Sequence, residues 1–276
     1  MTATTASRAR ISWPEIVSWL LAAVLVPATL YGLLSDRAYR LDQTLRLESV
    51  AQDVLTLAIV PVLVLAGRRA RAGSAAAHLL WLGLLAYVAY TYLIYAFGVP
   101  QNSAFLLYVA AVALSVAALV DGVARVEVRQ LRLGDHAGAG WFLIAIGLAF
   151  AGLWLSDLLP SLGGLPGTIG VGELPYPVYV VDLAFALPAI TATGVALVRR
   201  HPAAPVLAAV VLVKIVTLGL AIEAMAITLL LNGLSPDWPV AALFLVIVVV
   251  CTAALVRGTR RLAAPTPGWL RPTLWT

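Results

Sequence analysis

Long apolar runs alternate with short charged segments along the whole chain. An α-helix rises about 1.5 Å per residue, so about 20 apolar residues cross the hydrocarbon core of a bilayer. Ile16 to Ser35 is such a run and carries no charge. Preceded by Arg8 and Arg10, it resembles a signal peptide. No small-x-small cleavage site follows it, so it reads as a retained first helix over about 13–35. A second helix covers about 49–67, interrupted only by Asp53. From Ala72 to Val120 no charge occurs, a window too long for one helix. The turn residues Gly98-Val99-Pro100-Gln101-Asn102-Ser103 break it into helices over about 76–97 and 104–120. Four more follow at about 139–157, 178–198, 204–231 and 239–256, with Pro205 and Pro239 in first-turn positions. The pattern predicts an all-α integral membrane protein with eight transmembrane helices.

Composition narrows the class. The chain is 62% hydrophobic and 11% charged, where a soluble domain carries about 25% charged residues. With a mean hydropathy of +0.98, there is too little polar surface to cover a soluble enzyme, a nucleic-acid-binding domain or a disordered chain. The only cysteine, Cys251, excludes an internal disulfide and a cysteine-rich metal site. His78, His136 and His201 all fall in or near predicted loops, so no pair is placed to ligate a haem. No phosphate-binding glycine loop, HExxH motif or nucleophile elbow occurs. No metal or cofactor is expected.

Charge placement then assigns sides. With the N-terminus inside, the inner segments hold Arg8, Arg10, Arg68, Arg69, Arg71, Arg125, Arg129, Arg132, Arg199, Arg200, Arg257, Arg260, Arg261 and Arg271. The outer segments hold only Arg37, Arg40 and Arg46. Basic residues mark cytoplasmic loops, so both termini are expected in the cytoplasm. The Arg-over-Lys and Ala/Leu/Val bias points to a bacterial plasma (inner) membrane. The basic inner face is expected to attract anionic lipid headgroups, with no nucleic-acid partner. A homo-oligomer or a partner within a membrane complex is also considered. Segment 35–49 balances its three Arg with Asp36, Asp42 and Glu48, and reads as a short interfacial helix. The 121–138 segment reads as a solvated connector. Residues 158–177, LLPSLGGLPGTIGVGELPYP, are too rich in Gly and Pro for a regular helix and read as an outer connector or a lid.

The two halves resemble each other. Leu34-Ser35-Asp36 ends helix one, and Leu155-Ser156-Asp157 ends helix five. Asp53, Pro61 and Arg68-Arg69 follow in order on helix two; Asp182, Pro188 and Arg199-Arg200 follow on helix six. Ala117-Ala118-Leu119-Val120 and Ala253-Ala254-Leu255-Val256 close helices four and eight. This order predicts two parallel four-helix repeats, 13–138 and 139–256, between a tail at 1–12 and a basic tail at 257–276.

Intramembrane ionisable groups are costly and mark function or a partner. Asp53, Asp182, Lys214 and Glu223 are the candidates. Lys214 and Glu223 lie nine residues apart on one helix, on opposite faces, so each needs a partner elsewhere. Pro61 and Pro188 each free a carbonyl one turn earlier, at Leu57 and Ala184. An aspartate above a freed carbonyl supplies ingredients for a cation or proton site. All nine tyrosines fall outside the inner half, and Tyr87, Tyr92 and Tyr95 climb through helix three. An acidic, tyrosine-lined outer vestibule suits an organic cation through ion pairing and cation–π contact. The expected function is a transporter or permease for a cation, proton or small cationic solute. The alternatives are a non-catalytic membrane subunit and a membrane enzyme acting on lipid.

Overall fold

The computed structural model describes residues 13–128, 137–162, 177–260 and 269–271. Eight helices are long and apolar enough to cross a membrane. They are α1 (Trp13–Leu34), α2 (Gln43–Arg71), α3 (Ala75–Gly98), α4 (Phe105–Ala124), α5 (Ala137–Leu162), α6 (Pro177–Val198), α7 (Ala204–Leu231) and α8 (Trp238–Arg260). Among the described residues an isolated bridge, Val126 to Leu270, is the extended pairing.

Three expectations are corrected. No separate interfacial helix occupies 35–49. Helix α2 instead starts at Gln43, where the Asp42 carboxylate accepts the Leu45 amide at 3.0 Å and caps the first turn. Before it, Ala38 and Tyr39 fold inward and are buried. Second, the 121–138 segment does not begin as a solvated connector. Asp121 is fully buried in the last turn of α4 and pairs with Arg125 at 3.6 Å. The tail segment 269–271 then docks on 125–127. The Glu127 amide donates to the Trp269 carbonyl at 2.8 Å, and the Arg271 amide donates to the Arg125 carbonyl at 2.9 Å. Third, residues 158–162 are helical and extend α5. The rest of the expected outer connector, with Glu173, lies outside the described residues, as do 1–12 and most of 257–276.

Two apolar cores hold the bundle. The larger joins α1 to α4 with one face of α7, through residues such as Leu21, Leu63, Leu85, Val210 and Val213. The smaller joins α5, α6 and α8 to another face of α7, through Leu143, Ile190, Leu212 and Ile247. Helix α7 is therefore the common wall of both. In the first half α1 packs on α2, α2 on α3, α3 on α4, and α4 back on α1. In the second half α5 packs on α6, α6 on α7, and α7 on α8. No comparable interface closes α8 on α5 among the described residues. The first four helices thus form a closed ring, and the last four an open arc.

Helix α6 is not uniform. Residues Asp182–Ala186 form a π-helical turn, in which the Leu187 amide donates to the Asp182 carbonyl. Pro188 lacks an amide proton for the regular bond to Ala184, and the wider turn lies immediately before it. Helix α2 passes Pro61 as continuous α-helix. The two proline helices are therefore not equivalent in detail.

Candidate functional site

A cavity of about 680 Å³ lies in the mouth of the open arc. Its walls come from α2, α3, α5, α6, α7 and α8. It reaches the end of the bundle that the charge pattern predicts to be outer, at Glu48, Val99 and Asp237. Its inner end is lined by Ile190, Ile215 and Ile247, all less than a tenth exposed. Below that end the smaller core is apolar.

Asp182 and Lys214 both line this cavity, and each is only 8% exposed. Tyr90 on α3 donates its hydroxyl to Asp182 Oδ1 at 2.9 Å. Trp154 on α5 donates its indole N–H to Asp182 Oδ2 at 2.9 Å. The Lys214 ammonium sits 3.7 Å from the centroid of the Tyr90 ring. The same tyrosine thus holds a cation on its face and an anion at its hydroxyl. Cation–π attraction is strongest where water is excluded, and hydrogen bonds to an ionised carboxylate are stronger than neutral ones. The partner that Lys214 needs is on another helix, as the nine-residue spacing to Glu223 requires. Three more carboxylates, Glu48, Asp157 and Asp237, line the cavity towards its mouth. Tyr179 donates to Asp157 and stacks edge-on against Trp154 at 5.2 Å. Asp237 also caps α8 by accepting the Val240 amide at 3.1 Å.

Asp53 occupies a different compartment. It is 1% exposed and is not part of the cavity lining. Tyr39 donates its hydroxyl to Asp53 Oδ2 at 2.5 Å. Burial and the nearby Asp53 carboxylate push the Tyr39 phenol above its ordinary range, so it remains a donor. The rings of Tyr39, Tyr92, Tyr95 and Tyr108 pack together with centroids 5.6–5.8 Å apart. Gln52, beside Asp53, donates to the Tyr87 hydroxyl, and the Thr56 and Tyr87 hydroxyls are bonded at 3.0 Å. Tyr95 and Gln52 stand in the partition, because both also line the cavity. Tyr87 and Tyr92 are wholly buried behind it.

The structure therefore brings Asp182, Lys214 and Tyr95 to one cavity and leaves Asp53, Tyr87 and Tyr92 in a sealed pocket. Glu223 lines neither compartment; its Oε1 is buried without a hydrogen-bond partner among the described residues. Pro61 lies within α2 and Pro188 just past the π turn, outside the cavity lining. Tyr90, Trp154, Glu48, Asp157 and Asp237 complete the site, but the charge-based reading did not select them. The one signal for Trp154 is its place three residues before Asp157 on a helix, which puts both on one face. Among the described residues no cluster of His, Cys, Asp and Glu is arranged to hold a metal ion. No protein-family model, curated protein or solved structure matches this chain.

Proposed function

We propose that this protein is a multi-pass carrier or permease of a bacterial inner membrane that takes a cationic solute into the 680 Å³ cavity. The single observation that carries the reading is Asp182, a buried carboxylate set by two donors in the wall of the cavity. Buried charge needs compensation. Lys214 supplies it across the Tyr90 ring. An entering cation competes with Lys214 for the ring face and for Asp182. The carboxylates at the mouth, Glu48, Asp157 and Asp237, make the approach acidic and favour cations before they reach Asp182. The cavity is open at one end and closed by isoleucines at the other, which suits a carrier held open to one side.

The wider reading has support in the packing. Each half pairs its first helix with its second, its second with its third and its third with its fourth. Each half also sets a carboxylate near the same end, bonded to a tyrosine: Asp53 to Tyr39 and Asp182 to Tyr90. Both fit two parallel four-helix repeats with both termini on the cytoplasmic side, where the arginines face anionic lipid.

Purified protein in liposomes tests the proposal. Saturable uptake of an organic cation is expected, and Asp182→Asn is expected to lower it at least about tenfold, the effect of losing about 1.4 kcal/mol of binding. Unchanged uptake in Asp182→Asn removes the site assignment. Absence of flux from the pure protein removes the carrier reading.

A further inference from the structure

The cavity has a second boundary besides its mouth. Leu153 on α5 and Leu243 on α8 line it, yet they are 52% and 49% exposed. On each helix the leucine stands between a buried lining residue (Asp157, Ile247) and an exposed residue outside the lining (Ala149, Val246), at the edge where the cavity wall meets the outer surface. That place is the gap between α5 and α8, where the ring of helices is not closed. Phe150 of α5 and Phe244 of α8 meet across it, with ring centroids 5.5 Å apart and planes tilted by 47°. Both phenyl rings line the cavity from within. An aromatic contact of this kind is worth only about 0.5–1.5 kcal/mol beyond the area it buries, so it is far weaker than a helix interface. In lipid there is no hydrophobic force to hold two apolar helices together.

The chemistry inside has two zones. Towards the mouth stand Glu48, Asp157 and Asp237, with Asp182 deeper and Lys214 as the balancing charge. From Asp237 to Ile247 the α8 wall runs ten residues down, roughly 15 Å at about 1.5 Å per residue. Along that length its lining residues, Val240, Ala241, Leu243, Phe244 and Ile247, are all apolar. A small inorganic cation leaves this volume unfilled. A molecule with one ammonium head and an alkyl or aryl tail fills both zones.

Resting on the cation-carrier reading, we propose that the substrate class is an amphiphilic amine dissolved in the membrane. It enters sideways between α5 and α8, with the Phe150–Phe244 pair as the threshold. The ammonium head goes to Asp182 and the acidic mouth; the tail lies along α8. The carrier thus takes its cargo from the bilayer leaflet and not from bulk water.

The test uses the full chain in lipid nanodiscs and a dodecylamine brominated on its chain, dosed as a fraction of the lipid. Bromine quenches nearby indole fluorescence, and Trp154 is the indole in the cavity. Its share is the saturable component, because quenching of lipid-facing indoles by amine dissolved in the bilayer rises with dose without a plateau. Expected is a saturable quench by the brominated amine, at least tenfold stronger than by the brominated alcohol of the same chain. Unbrominated dodecylamine is expected to reverse it, and ethylamine is not. In a Cys251→Ala background, Phe150→Cys and Phe244→Cys joined by a short thiol crosslinker are expected to block entry, and reducing the link to restore it. If that pair fails to fold, Phe150→Ala is read instead and is expected to speed entry. Equal competition by ethylamine, equal quenching by the alcohol, or entry unaffected by both the crosslink and Phe150→Ala overturns the proposal. The parent reading fails differently: amine binding then survives Asp182→Asn whatever the route of entry.

Discussion

Gly32 on α1 is the position where one methyl group tests the sealed compartment. A Cβ built there would stand 2.9 Å from Asp53 Cγ and 2.5 Å from the Tyr39 hydroxyl, and closer still to Asp53 Oδ2. Real Cβ atoms do not tolerate such distances, so Gly32→Ala must drive the carboxylate or the phenol aside. Neither has space, because Asp53 is 1% exposed and Tyr39 4%. Overpacking of a tight interior costs about 1–3 kcal/mol. Breaking the Tyr39–Asp53 hydrogen bond leaves a buried acceptor unpaired, for about another 1–3 kcal/mol. Gly32→Ala is therefore expected to destabilise the protein by about 2–6 kcal/mol. Titration with SDS in mixed micelles, followed by tryptophan fluorescence, reads the loss. A double-mutant cycle makes the test specific. Asp53→Ala removes the atoms that the new methyl would strike and frees the Tyr39 ring to shift. In that background Gly32→Ala is expected to cost at least about 1 kcal/mol less than in the wild type. Simple additivity, or a Gly32→Ala protein within about 0.5 kcal/mol of wild type, would refute the packing argument.

Four further outcomes follow from the same geometry. Gly194→Ala places a Cβ 2.6 Å from the Gly140 carbonyl and 2.9 Å from the Ile144 amide, both backbone atoms of α5. It is expected to cost 2 kcal/mol or more in the same titration, at the upper part of the overpacking range of about 1–3 kcal/mol. Gly138→Ala, with nothing within 4 Å, is expected to be neutral. Trp269→Ala removes the ring packed edge-on against His78 at 5.6 Å. It is expected to speed hydrogen exchange of the Glu127 amide at least about tenfold, a loss of about 1.4 kcal/mol of local stability. Lys214→Met removes the ammonium but keeps an unbranched stem, and leaves both hydrogen bonds to Asp182 in place. If Lys214 competes with the cargo for the Tyr90 face, this variant binds cationic amines more tightly by about tenfold, read by tryptophan quenching. Weaker binding would assign Lys214 to the cargo itself.

Most of the helical frame was legible because charge is expensive in lipid and so marks where helices stop. The apolar run predicts one helix over 204–231, and α7 is Ala204–Leu231. The same rule misplaced the start of α2. Helices can project beyond the apolar zone, and Gln43, Thr44, Arg46 and Glu48 are polar residues at the capped start of α2. Asp121 misled in the opposite way: it looks like a loop charge, but Arg125 one turn on pairs with it inside the fold. At the site, Asp182 and Lys214 were visible because an isolated charge in an apolar run has few explanations. Tyr90 and Trp154 were not, since a ring in such a run looks the same whether it fills a core or donates to a carboxylate. The docking of Trp269 on His78 joins residues far apart in sequence, and no periodicity carries that information.

Asp53 and Asp182 show how one sequence pattern leads to two environments. Each is a carboxylate near the same end of a proline-bearing helix, and each accepts a tyrosine hydroxyl. What differs is the residue that the neighbouring helix offers. Opposite Asp53, α1 presents Gly32, with no side chain, so the backbone approaches closely and α4 closes behind it. Opposite Asp182, α5 presents the Trp154 indole, which reaches the carboxylate from a distance and occupies the space a close helix would need. The proline spacing adds to this. Asp53 lies eight residues before Pro61 and Asp182 six before Pro188, and only the second helix widens into a π turn beginning at the aspartate itself. A π turn adds a residue to the turn and rotates what precedes it around the helix axis. Asp182 is thereby turned towards the space between α3, α5 and α7, while Asp53 stays inside the closed ring. A carboxylate sealed behind four tyrosine rings stabilises a compartment. The same group set at the wall of a cavity, with its countercharge on the face of the ring that donates to it, stands where an entering cation would meet it.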